Sequence, residues 1–160
     1  MVEELKVLQL LEHPNVIWLN EIIDDPKKDK LYVVTEWYSK GSLGDLVASK
    51  NKKCGLAPSA ALNYLIDMLK ALHYCHNVVM APSKVIHRDI KPDNIMINHN
   101  NEAVLIDFGV SALVEEDAMQ TNMGSLMFFA PEMFLKQKSF KGTQTDIWAL
   151  GITFYYLLTG

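Results

Sequence analysis

The stretch His87-Arg88-Asp89-Ile90-Lys91-Pro92-Asp93-Asn94 falls between two short apolar bursts, Val85-Ile86 and Ile95-Met96-Ile97. That placement puts its polar groups on a loop held between strands. Asp89 is a carboxylate with a cation, Lys91, two residues on, and Asn94 offers a neutral amide oxygen that suits a hard cation. A second apolar burst, Val104-Leu105-Ile106, follows the polar turn His99-Asn100-Asn101-Glu102. Pairing the bursts as a hairpin from Ile95 to Ile106 brings Asn94 and Asp107 side by side at one end. Magnesium takes one or two carboxylates together with substrate phosphates, so this donor set fits it better than a metal with an all-protein cage. Phosphoryl transfer asks for little more: magnesium against phosphate oxygens, a positive charge nearby, and a carboxylate to orient the attacking hydroxyl.

Working outward, Val2, Leu5, Leu8, Leu10 and Leu11 recur at helical spacing, and His13-Pro14-Asn15 ends that helix. Val16 to Ile23 and Leu31 to Thr35 read as a strand pair around the charged turn Asp24 to Asp29. Residues 36 to 41 form a connector, and Ser42 is placed to cap a short helix ending at Ser49. Between Pro58 and Asn77, Leu62, Leu65, Ile66, Leu69 and Leu72 recur at three- and four-residue steps, predicting an amphipathic helix. From Asp107 to Phe129 no period survives, which predicts a long loop. The apolar run Ile147 to Leu158 is short of the roughly 20 residues that cross a bilayer and reads as a buried core helix.

A length of 160 residues fits one compact domain. The net charge of −4 gives no general attraction to nucleic acid or anionic membrane. Cys54 and Cys75 have no metal-ligand spacing and no disulfide framework, so they read as passive reduced thiols of an intracellular protein, in the cytoplasm with the nucleus also open. His73 and His76, three apart on a helix without a third ligand, read as packing or exposed residues.

Three further clusters follow the first loop in order: Asp107-Phe108-Gly109, Ala130-Pro131-Glu132, and Asp146-Ile147-Trp148-Ala149-Leu150-Gly151. Together with His87 to Asn94 they resemble the signature set of eukaryotic protein kinases. Lysine two residues after the loop aspartate is the serine/threonine form. The resemblance implies an α+β, two-lobed protein-kinase-like fold, truncated at both ends. Residues 1–37 would be a remnant of the small lobe, and residues 38–160 the large lobe as far as its central helix. It implies ATP and Mg2+ as cofactors and protein substrates as partners. Asp89 would be the catalytic base, Lys91 would steady the γ-phosphate, and Asn94 and Asp107 would hold magnesium. Glu4 would pair with the nucleotide-binding lysine, and Thr35 would be the residue that controls access behind adenine. The backbones of Glu36 and Tyr38 would meet adenine, and Met96 would pack on it. Leu8, Leu19, His87 and Phe108 would stack as a spine anchored by Asp146. Thr121 would be an activation-segment phosphosite, set by an upstream kinase and paired with Arg88.

Within kinases, residues Glu21 to Pro26 before Lys30-Leu31-Tyr32, Asp107 to Ser111, and Phe140-Lys141-Gly142 resemble the calcium/calmodulin-dependent protein kinase kinases. The pattern departs in places. No glycine-rich phosphate loop and no strand lysine precede Glu4. Residues 77 to 84 lengthen a connection, predicting a surface bulge. Ser125-Leu126 stands where threonine-proline is usual, and Ser125 can keep the hydroxyl contact to the catalytic loop. A catalytically inactive scaffold is the rival reading, and a small-molecule phosphotransferase a second.

Overall fold

The computed structural model describes residues 2–49, 55–79, 83–115, 117–120, 123–135 and 139–160, with side chains from residue 5 onward. Helix α1 spans Val2–Leu10 and is followed by strands β1 (Leu19–Asp25) and β2 (Lys30–Thr35). Helices α2 (Leu43–Ser49) and α3 (Pro58–Asn77) come next. Four short strands follow, β3 (Lys84–Ile86), β4 (Ile95–Ile97), β5 (Ala103–Leu105) and β6 (Ala112–Val114), and helix α4 (Gly142–Thr159) ends the series. The strands pair antiparallel as β1 with β2, β3 with β6, and β4 with β5. Helix and sheet are thus mixed, as the α+β reading expects.

Local chemistry explains the boundaries. The β1–β2 hairpin closes at Asp25–Lys30 through a turn that carries Asp29 at a φ of 50°. Helix α2 opens on a reciprocal cap. The Ser42 hydroxyl accepts the Asp45 N–H at 3.0 Å, and Asp45 Oδ2 accepts the Ser42 N–H at 2.9 Å. Two orphan donors of the first turn are satisfied by one pair of side chains. Helix α3 starts with Pro58 in its first position, where a missing N–H costs nothing.

Three differences from the sequence reading have physical causes. The first strand begins at Leu19, not Val16, because Val16 and Ile17 are taken by β5: Val16 bridges Leu105, and Ile17 N–H donates to the Leu105 carbonyl at 2.9 Å. The buried face of α3 is Ala61, Met68, Ala71, Leu72 and Cys75, so Leu62, Ile66 and Leu69 stand exposed beside it. That inner face packs against α4, β5 and β3. The loop after Asp107 also contains strand β6, three residues too short to show a period.

Helices α2, α3 and α4 surround the β4–β5 hairpin in one apolar cluster that includes Leu43, Met68, Leu72, Ile95, Leu105 and Leu150. Each such fully buried aliphatic side chain contributes about 1.5–3 kcal/mol over its exposed state. The segment after α1 is sewn to this cluster by Asn15, whose carbonyl accepts the Leu105 N–H and whose amide donates to the Ala103 carbonyl at 2.8 Å. Helix α4 buries one face, with Ala149, Leu150, Thr153 and Leu157 inside, while Ile147, Trp148 and Tyr155 are exposed. The core-helix reading therefore holds for one face only. Among the described residues no helix is long and apolar enough to cross a membrane.

Candidate active site

The chain leaves β3 at Ile86 and would expose two backbone donors in the core, since His87 is fully buried. Asp146, in the first turns of α4 and only 1% exposed, meets them. Its Oδ2 accepts the His87 N–H at 2.9 Å and its Oδ1 accepts the Arg88 N–H at 2.8 Å. The same Oδ2 lies 2.8 Å from His76 Nε2. A carboxylate can only accept, so that histidine nitrogen carries the proton. His76 therefore supports the anchor, a role that its spacing from His73 did not suggest.

His87 is oriented on both ring nitrogens. Nε2 lies 2.9 Å from the Ile106 carbonyl, and Nδ1 accepts the Asp89 N–H at 3.2 Å. This fixes one neutral tautomer, and burial pushes the ring below the ordinary histidine value. Its ring meets the buried Phe108 ring edge-on at 4.7 Å. Leu8 and Phe108 belong to one core cluster with Leu19 packed against it.

With this frame fixed, Asp89 projects into a set of three donors. Oδ1 accepts the Ser125 N–H at 2.7 Å, and Oδ2 accepts from Lys91 Nζ at 2.8 Å and Asn94 Nδ2 at 3.0 Å. Burial alone raises the carboxyl, but the hydrogen bonds from Lys91 and Ser125 outweigh it and hold Asp89 below its ordinary value. Lys91 Nζ also donates to the Ser125 hydroxyl at 2.9 Å, the contact expected of Ser125. Gly124 makes this approach feasible. It sits at a φ of 102°, and a Cβ there would fall 2.0 Å from the Arg88 carbonyl oxygen.

The β4–β5 hairpin brings Asn94 next to Asp107 as its spacing predicts. Ile106 N–H donates to the Asn94 carbonyl at 3.0 Å, which leaves Asp107 at the adjoining strand end. The Asn94 amide nitrogen donates to both the Asp89 carbonyl and its side chain, which leaves Oδ1 as the side chain's acceptor for a cation. Asp107 is exposed, has a φ of 62°, and uses one carboxylate oxygen to accept the Gly109 N–H at 3.3 Å. One amide oxygen on the buried Asn94 and one carboxylate on the exposed Asp107, both hard donors, fit magnesium held jointly with phosphate.

The remaining expected residues have the following local settings. Met96 is half-buried in β4, paired with Val104 and bridged to Ser42. Thr35 ends β2, and Tyr38 is buried with its hydroxyl donating to Glu36 at 2.8 Å. Burial and that carboxylate push the Tyr38 hydroxyl far above its ordinary value. Glu4 belongs to α1, and its side chain lies outside the described residues. Thr121 and Cys54 also lie outside them. The Arg88 guanidinium donates to the Ser111 carbonyl at 3.0 Å. Burial pushes the Cys75 thiol up to about 12, as befits a passive thiol.

Asp117 escaped the sequence reading. Its carboxylate accepts the Thr143 N–H at 3.0 Å and the Thr143 hydroxyl, while Met119 and Phe140 exchange backbone hydrogen bonds. These contacts tie the segment after β6 to the first turn of α4. The partners are 26 residues apart, so no local spacing announces them.

The family model for the protein kinase domain matches residues 1–160, and the chain belongs to that family. Among curated proteins it is 35% identical over 162 residues to a calcium/calmodulin-dependent protein kinase kinase of Caenorhabditis elegans, covering 99% of this chain and 28% of that protein. It is 35% identical over 161 residues to CBL-interacting serine/threonine-protein kinase 20 of Arabidopsis thaliana, covering 98% and 34%. It is 32% identical over 158 residues to NUAK family SNF1-like kinase 1 of Mus musculus, covering 98% and 22%. The chain spans about a third or less of these relatives' lengths.

Proposed function

We propose that the protein of which this chain is part transfers the γ-phosphate of ATP to serine or threonine hydroxyls of protein substrates, within an intracellular signalling cascade, in the cytoplasm or nucleus. The observation that carries this reading is the Asp89 carboxylate, held by Lys91, Asn94 and the Ser125 backbone at the end of the hairpin that carries Asn94 and Asp107.

In this reading residues 1–37 belong to the small lobe and 38–160 to the large lobe. Asp89 accepts a hydrogen bond from the substrate hydroxyl and aims it. Because Lys91 and Ser125 keep Asp89 ionised, it acts mainly by orientation and takes the proton as the new P–O bond forms. Lys91, within reach of both Asp89 and Ser125, carries positive charge to the transferred phosphoryl group. Bound at Asn94 and Asp107, magnesium would offset phosphate charge. The Glu36 and Tyr38 backbones and the Met96 side chain receive adenine, with Thr35 at its inner edge. Glu4 orients a nucleotide-binding lysine, and phosphorylation of Thr121 by an upstream kinase orders the activation segment through Arg88.

The test uses the purified full-length protein with magnesium, labelled ATP and serine-, threonine- and tyrosine-containing peptides. Label on serine or threonine, reduced about 10²–10⁴-fold by Asp89→Asn, is the expected result. Label unchanged by Asp89→Asn, or none with the wild type at any peptide, refutes the reading and favours an inactive scaffold.

A further inference from the structure

A cavity of about 570 Å³ among the described residues contains none of Asp89, Asn94, Met96 or Asp107. It shares Glu36 and Tyr38 with the residues proposed to meet adenine. Its walls carry the indoles of Trp18 and Trp37 and the carboxylates of Glu12, Glu36 and Glu102, with no lysine or arginine among the lining residues. Trp37 is 87% exposed and Trp18 45%. Two indoles left open to water in one concavity are unusual for a surface with no partner.

The walls are held firmly. The Asn98 side chain accepts the N–H groups of Asn100 and Glu102, each at 2.9 Å, and so shapes the turn that presents Glu102. Lys40 Nζ donates to the His99 carbonyl and Asn101 Oδ1 at 2.8 and 2.7 Å, which fastens the connector after Trp37 to the same turn. On the opposite wall the Tyr74 hydroxyl accepts the Glu12 N–H at 2.8 Å, and the His13 ring stacks on Tyr74 at 5.1 Å. A preformed concavity binds without first losing ordering entropy.

Charge selects the occupant. Burial and the nearby Lys70 lower the affinity of His13 for a proton, and Lys40 keeps its charge but directs its ammonium at the turn, so three lining carboxylates outnumber one neighbouring cation. Glu36 and Glu102 each use a single oxygen in the hydrogen bonds they accept, from Tyr38 and Asn98. A planar guanidinium is the group that both stacks on an indole and bridges carboxylate oxygens. The volume exceeds that of any one side chain, which favours a peptide over a small cation.

We propose that this cavity is a docking site for an arginine-bearing peptide segment of a protein partner, with apolar neighbours of the arginine seated on Trp18 and Trp37. The site works apart from phosphoryl transfer and is tested by binding alone. A fluorescein-labelled dodecapeptide alternating arginine and leucine is titrated with the full-length protein and read by polarisation. Expected results are saturable binding that saturating ATP leaves in place. Trp18→Ala, and the pair Glu12→Gln with Glu102→Gln, each weaken it about tenfold or more, as does citrulline in place of arginine. These variants keep the wild-type melting temperature and phosphotransfer to a short acceptor peptide. Equal binding by wild type and both variants, or by the arginine and citrulline peptides, overturns the proposal. So does concentration-dependent self-association that the same variants abolish, because it would assign the cavity to a second copy of the chain.

Discussion

Gly124→Ala tests how closely the activation segment must approach the catalytic loop. Real Cβ contacts do not fall under 3.0 Å, whereas this one would begin at 2.0 Å from the Arg88 carbonyl oxygen, so a gap of about 1 Å must open. Neither neighbour can yield easily, because the Arg88 backbone is pinned by Asp146 at 2.8 Å. The glycine's φ of 102° adds strain of about 1–2 kcal/mol for any other residue. The shift therefore falls on Ser125, whose N–H bond to Asp89 at 2.7 Å and hydroxyl bond to Lys91 at 2.9 Å both lengthen beyond use. A misplacement near 1 Å at a positioned group costs up to about 100-fold in rate. We expect kcat for peptide phosphorylation by the full-length protein to fall about 10- to 100-fold, with a small drop in Tm. Gly151→Ala is the internal control. Its Cβ meets nothing within 4 Å in mid-helix, so it should stabilise by about 0.5–1 kcal/mol and leave kcat unchanged. A Gly124→Ala enzyme within threefold of wild type would refute the reasoning.

Further outcomes follow from the same geometry. Asp107→Asn should abolish magnesium-dependent nucleotide binding, measured by calorimetry, yet leave Tm nearly unchanged because the side chain is exposed. Asp146→Ala strands the His87 and Arg88 donors in the core and should cost about 3 kcal/mol or more by urea unfolding, with activity lost. The Asp89 carboxyl is lowered in the folded state, so its stabilising contribution is complete above the unfolded value near 3.9 and disappears as pH falls below it. Asp89→Asn should flatten the pH dependence of unfolding below about pH 4, read by circular dichroism. Cys75 should resist a thiol reagent at pH 8 until the protein is unfolded.

Much of the site was legible in the sequence because its parts are local. Asp89, Lys91 and Asn94 lie within one turn of loop, and the apolar bursts on either side identify the hairpin that brings Asp107 back. What escaped depends on distant partners. His76 acquires its role from a residue 70 positions away, and Asp117 from one 26 positions away. The inner face of α3 was obscured for another reason. Ala61, Ala71 and Cys75 are small residues on the face that packs against α4, β5 and β3, and a count of large apolar residues points instead to Leu62, Ile66 and Leu69. Strand β6 is read only through its partner β3.

The Asp146 anchor also sets a timetable for synthesis. Arg88 leaves the ribosome 58 residues before the carboxylate that receives its N–H. At about 5–20 residues per second, roughly 3–12 s pass in which the His87–Asn94 loop has no anchor. During that interval the nascent chain holds Asp89, Lys91 and Asn94 without the carboxylate that fixes their loop. Docking of α4, rather than translation of the loop itself, is then the event that fixes the geometry of the His87–Asn94 segment.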